Sequence, residues 1–187
     1  MLKRLLAGAT LAALALSTVL PAATVAQDRS ICMVTFSLQV AYFQNSVEGA
    51  QMAADELGVD LTVLDPQADA GRQVTQVEDC LSQEPDAIIV DPIESSSLTG
   101  VLGEAADRGI PVATLDTFVD SPAIVTWIGL DQKEVSNTFG QFVAGYIIGA
   151  MEGEAEIGVM LASTEVQLLR RDGFQEALAA VPGAEIV

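Results

Sequence analysis

The side chains best placed for chemistry are carboxylates at the exits of apolar runs. "IPVATLDT", Ile110–Thr117, runs apolar until Asp116, and "DAIIVDP" (86–92) meets Asp91 in the same way. A carboxylate so placed can start a turn or cap a helix. It can serve as a general acid or base, singly or as an Asp91/Asp116 pair. It can also accept two hydroxyl hydrogens from a ligand through charge-assisted bonds. The rest of the sequence gives catalysis little support. There is no histidine, which removes the commonest general base and the commonest metal ligand together. No GxSxG, no P-loop and no GxGxxG after a strand occurs, and neither Cys32 nor Cys80 has the setting of an activated thiol. The expectation is a protein with no catalytic residue, no metal and no cofactor.

The elements that must position these carboxylates alternate short apolar runs with longer helical periods. Strands are expected at 31–36, 60–65, 86–92, 111–116 and 123–129, with helices over 43–57, 70–83 and 96–109. Gly58 and Gly109 should stop the first and third helices, and Ser95 or Ser96 should cap the third. Past "GLDQ" (129–132) the cycle restarts with a helix over 133–151, a strand over 155–162, a helix over 165–180 and a strand opening at 184–187. Nearly continuous apolar strands joined by helices predict an α/β fold, a parallel sheet with helices on both faces. Cys32 falls in a central strand and Cys80 on the apolar face of a helix. An oxidising compartment would permit a disulfide, but this placement predicts two buried thiols. The chain stops partway through a strand, so a second lobe cut short is expected, with the boundary near Leu130.

Residues 1–26 read as a secretory signal peptide: "MLKR", then an apolar run, then a small-residue site ending at Ala26. The expected layout is therefore 1–26 signal peptide, 27–130 first lobe and 131–187 the start of a second lobe. Removing Lys3 and Arg4 leaves six basic residues against 26 acidic ones. So acidic a surface repels phosphate backbones and anionic lipid, which argues against nucleic-acid and membrane partners. The reading is an exported protein, monomeric and not inserted in a membrane.

Several stretches in order, "YFQNSVEGAQMAADELG" (42–58), "LDPQ" (64–67), "QVTQVEDCL" (73–81), "DAIIVDP" (86–92), "AADRGIPVATLD" (105–116), "IGLDQ" (128–132) and "RRDGFQEAL" (170–178), resemble the periplasmic sugar-binding proteins of ABC importers, specifically the ribose-binding-protein-like group of type I periplasmic binding proteins. The resemblance implies two lobes joined by a hinge, one sugar or polyol enclosed between them, and delivery to the membrane subunits of an ABC permease. A sensory protein feeding a chemoreceptor or sensor kinase is the alternative. A lactose-repressor-like regulatory core fits less well, because the signal peptide stands where a DNA-binding module would be.

The resemblance implies site residues one by one. Asp116 stands where the family carries an acid or amide bonding sugar hydroxyls. Tyr42 and Phe43 stand where aromatics meet the apolar face of the sugar ring, and Phe43 is the stronger candidate of the two. Arg170 matches a pocket arginine whose fork of donors suits ring and hydroxyl oxygens. Because cations are disfavoured at a helix start, Arg170 and Arg171 read as an unusual pair, with Arg171 solvated or bound to an acid. Asp131 is expected to serve hinge hydrogen bonding, with ligand contact as the lesser role. Phe36, Val40 and Thr117 depart from the ribose-binding pattern, which has polar residues at the first two positions and an arginine at the third. Such a pocket offers fewer donors, and a deoxy sugar, a polyol or another pentose or hexose fits as well as ribose.

Overall fold

Runs rich in Val and Ile form strands here because β-branched side chains, stiff at χ1, pack well on a pleated surface. The computed structural model describes residues 29–160 and 163–187. The expected signal peptide, 1–26, lies outside the described residues, as do the last two positions of the strand expected over 155–162. Strands β1 (Arg29–Val34), β2 (Val59–Leu64), β3 (Ala87–Val90), β4 (Val112–Asp116) and β5 (Ile124–Gly129) form one sheet in the order β2-β1-β3-β4-β5. Every neighbouring pair is parallel.

Helices α1 (Ala41–Leu57), α2 (Ala70–Ser82) and α3 (Ser95–Asp107) make the crossovers. The right-handed rule puts α2 and α3 on one face and α1 on the other, because the first crossover runs in the opposite direction along the sheet. The main core lies under α2 and α3, where Val34, Ile88, Val90 and Val112 meet Leu81, Leu98 and Leu102. Burying each such side chain contributes about 1.5–3 kcal/mol. Coverage of the two faces is unequal: Ile31, Ile89 and Ala113, which point to the α1 side, are only half-buried.

Local signals placed most helix ends well. Gly58 closes α1 with φ 67°, its N–H donating to Ala54 O, a left-handed turn that glycine makes without a Cβ penalty. The serine cap expected for α3 is a correction. Ser95 is already the first helical residue, and the N-cap position falls on Glu94, whose side chain makes no capping bond.

The cysteines are a second correction. Cys32 and Cys80 form a disulfide with Cα atoms 5.8 Å apart, both side chains lying in the core between β1 and α2. The thiol expectation took each residue as buried but took no account of distance. The strand side chain and the helix side chain face each other within the span a disulfide needs.

A second unit follows β5. Helix α4 (Gln132–Ala150), strand β6 (Glu154–Ile157), helix α5 (Glu165–Leu178) and strand β7 (Gly183–Ile186) make a parallel two-stranded sheet with two packed helices. The helices approach so closely that a Cβ on Gly173 would sit 2.0 Å from Lys133 O. Asn137 Nδ2 donates to Gly173 O across the same contact, at 3.2 Å. No helix among the described residues is long and apolar enough to cross a membrane.

Candidate functional site

The strand order reverses between β1 and β3. In open parallel sheets the crevice beyond the strand ends at such a reversal is the natural ligand site. Asp91 follows β3 at that point and is 1% exposed. Its Oδ2 accepts a hydrogen bond from Thr35 Oγ1 at 3.2 Å, while the buried Oδ1 has no partner among the described residues. Burial above all pushes the Asp91 carboxyl up to about 6, the nearby Asp116 charge adds to this, and the Thr35 bond opposes it.

Gln73 of α2 holds this corner in place. Fully buried, its Nε2 donates to Thr35 O at 3.2 Å and to Asp91 O at 2.7 Å, and its Oε1 accepts from Ile93 N at 2.9 Å. One amide therefore ties the ends of β1 and β3 together beneath the crevice. Sequence reasoning did not single out Gln73, because it falls beside the apolar stripe of a helix and its partners lie up to 38 residues away.

Asp116 closes β4 with φ 56°, a left-handed conformation uncommon outside glycine that costs of order 1–3 kcal/mol when held. The next element is a strand, so Asp116 caps no helix. Trp127 Nε1 donates to its backbone oxygen at 3.2 Å. Gly129, its partner in β5, makes room for this arrangement: a Cβ there would lie 2.5 Å from the indole nitrogen and 2.6 Å from Asp116 O. The Asp116 carboxylate accepts from Gln132 Nε2 at 3.0 Å, and Gln132 Oε1 accepts from Arg170 Nε at 2.8 Å. An Asp116–Gln132–Arg170 chain thus joins the five-stranded sheet to α5.

Gln132, 6% exposed, was missed in "GLDQ", where attention went to its neighbour. Asp131 is the N-cap of α4, accepting from Glu134 N at 2.9 Å. The two arginines do not crowd a helix start. Arg170 and Arg171 sit in the second turn of α5, which begins at Glu165, and Arg171 bonds to Asp172.

The aromatic candidates divide. Phe43 stacks on Phe36 with centroids 4.7 Å apart and rings 8° from parallel, so one face of each is already covered. Tyr42 stands edge-on to Phe43 at 5.0 Å and is the more open ring, 57% exposed. Its phenol is held above the ordinary range by partial burial first, then by Asp116 and Asp91, with Arg170 pulling it down. Tyr42 therefore shares an electrostatic neighbourhood with both carboxylates and the arginine. Val40 is the N-cap residue of α1, and Thr117 is buried with its N–H donating to Leu115 O at 2.6 Å. Between the two units, Asp116, Trp127, Gln132, Glu165 and Leu169 border an open cavity of about 750 Å³, within the size range of small-molecule sites. Among the described residues no group of three or more His, Cys, Asp or Glu could hold a metal ion.

Comparison with known proteins bears on this arrangement. The sequence profile of the family described as "periplasmic binding protein domain" matches residues 31–187. The ribose import binding protein of Escherichia coli is 32% identical over 171 residues, which are 90% of this chain and 56% of that protein. A solved structure from Mycobacterium smegmatis in complex with β-D-fucofuranose superposes with a TM-score of 0.75 at 26% identity, covering 85% of this chain and 54% of the other. A carbohydrate transporter solute binding protein from Agrobacterium radiobacter, in complex with D-arabinose, gives 0.73 at 25% identity, covering 87% and 57%. The chain spans about half the length of the curated relatives it matches.

Proposed function

This chain belongs to the periplasmic binding protein domain family, and on that premise we propose that it captures one sugar or polyol between two lobes and delivers it to the membrane subunits of an ABC permease. The protein acts in the periplasm, after export, and binds without catalysis. The first lobe ends near Leu130 and α4 opens the second. The break between the five-stranded sheet, whose last strand ends at Gly129, and the separate β6-β7 sheet supports that division.

The observation that carries the proposal is the chain of polar contacts across the crevice. Gln132 occupies one oxygen of Asp116 and the Nε of Arg170, which leaves the other carboxylate oxygen and the guanidinium Nη atoms to meet a solute. Asp91 adds a buried oxygen without a partner among the described residues. These acceptors and donors suit hydroxyl groups, and the Tyr42 ring supplies an apolar face for sugar C–H groups. A ligand that touches both lobes favours the closed state by the contacts it gains only there.

Ribose import is named for five relatives, but Phe36, Val40 and Thr117 narrow the polar lining here. The proposal therefore names the class, sugar or polyol, and leaves ribose as one member of it.

Asp116→Ala tests the assignment. In the full-length protein it should weaken binding of the cognate solute at least tenfold, the scale of one lost charge-assisted hydrogen bond at about 1.5–3 kcal/mol. The circular dichroism spectrum should stay unchanged. Equal affinity by titration calorimetry would return Asp116 to a role in strand termination.

A further inference from the structure

A second contact between the two units uses none of the residues of the Asp116–Gln132–Arg170 chain. Helix α3 begins without a cap of its own, because the Glu94 side chain makes no capping bond. The missing acceptor comes from 70 residues along the chain. Ser95 N donates to Glu165 Oε2 at 2.8 Å, and Ser95 Oγ donates to Glu165 Oε1 at 2.7 Å. Both carboxylate oxygens of Glu165 are thus engaged at the first turn of α3.

Glu165 is also the first residue of α5, whose own N-cap, Thr164, makes no side-chain bond. The carboxylate therefore lies at the start of two helices at once. Free N–H groups and the helix dipole favour a negative charge at each start. One helix belongs to the layer on the five-stranded sheet and the other to the unit of α4, α5, β6 and β7. Glu165 also borders the cavity shared with Asp116 and Gln132.

We propose that Glu165 is an affinity-setting residue that acts without touching the solute: its carboxylate caps α3 across the cleft and holds the two units together before any ligand arrives. Apparent affinity equals intrinsic affinity reduced by the fraction of molecules in the competent, closed arrangement. A clasp between the units raises that fraction, so it tightens binding while leaving the polar groups of the pocket unaltered. Its loss lets the units separate and weakens apparent affinity by roughly fivefold or more, the usual lower range of conformational coupling.

The clasp is read in the ligand-free protein, so its test does not depend on which solute binds or on whether a sugar binds at all. Spin labels on cysteines introduced at Gln51 of α1 and Gln175 of α5, both exposed, report the distance between the units in the full-length protein. The parent should give one narrow distribution. Glu165→Ala should give a longer and broader one, and Ser95→Ala, which keeps the backbone bond, should fall between. Glu94→Ala removes a neighbouring carboxylate that among the described residues bonds within its own segment, to Ser96 at 3.1 Å, and should match the parent. If Glu165→Ala leaves the distances as in the parent, or if Glu94→Ala lengthens them equally, the clasp is refuted. Should Glu165→Ala fail to fold, Ser95→Ala decides alone, with unchanged distances overturning the proposal.

Discussion

Asp91→Asn should raise the thermal midpoint of the ligand-free protein at pH 7 and flatten its dependence on pH between about 4 and 7. The carboxyl is pushed from its ordinary 3.8 up to about 6 in the folded protein, chiefly because Asp91 is 1% exposed. With a folded value above the unfolded one, the folded state holds a proton through a range in which the unfolded chain has released it. Stability from this group is complete below the unfolded value and is lost as pH rises through about 6. At neutral pH the buried charge then costs of order 3 kcal/mol. An asparagine keeps the shape and the Thr35 acceptor without the charge, so a gain of about 1–3 kcal/mol is expected. For a chain of this size that is several degrees of midpoint, at about 2–4 °C per kcal/mol. Calorimetric scans across pH 4–8 provide the check. Parallel pH profiles for the parent and Asp91→Asn would show that Asp91 ionises at its ordinary value. A stabilising change at a cleft residue is also what a binding role leads one to expect, since functional groups are commonly held at a cost to the fold.

The double variant Cys32→Ala/Cys80→Ala should lose about 4 kcal/mol, the largest effect expected for any change outside the crevice. The bond closes a loop over a sequence separation of 48, and the loss of loop-closure entropy in the unfolded chain sets that scale. The two residues also sit in the core between β1 and α2, so smaller side chains leave some unfilled space and add to the loss. The expected drop in midpoint is roughly 8–16 °C. Reducing agent should shift the parent protein toward the variant and leave the variant unaffected. A variant within 1–2 °C of the parent would mean that packing around Cys80, and not the bond, holds α2 against β1.

Both predictions rest on features that the sequence made only half visible. The strands, the crossover helices and the Gly58 stop were legible because each depends on neighbours a few residues away, through periodicity or a left-handed turn. The positions of Asp91 and Asp116 at strand exits were legible for the same reason. Their partners were not. Gln73 looks like an ordinary polar residue on a helix until it is found bonded to Thr35 O and Asp91 O. Gln132 stands next to the more eye-catching Asp131, and its two partners lie 16 and 38 residues away. The pairing of Cys32 with Cys80 likewise depends on which strand a helix crosses, and the serine cap of α3 failed because the capping carboxylate comes from Glu165. Polar side chains with distant partners carry no local signature, and they are what hold this site together.

The family and the fold rest on the match over residues 31–187 and on the superposed structures; the solute rests on the geometry of the crevice. The most direct test is a thermal-shift panel on the full-length protein, with pentoses, hexoses, deoxy sugars and polyols set against amino acids and organic acids. The account predicts that one sugar or polyol raises the midpoint in a saturable way, that the others do so weakly or not at all, and that amino acids and organic acids give no shift. A saturable shift with an amino acid or organic acid, and none with any sugar or polyol, would contradict it.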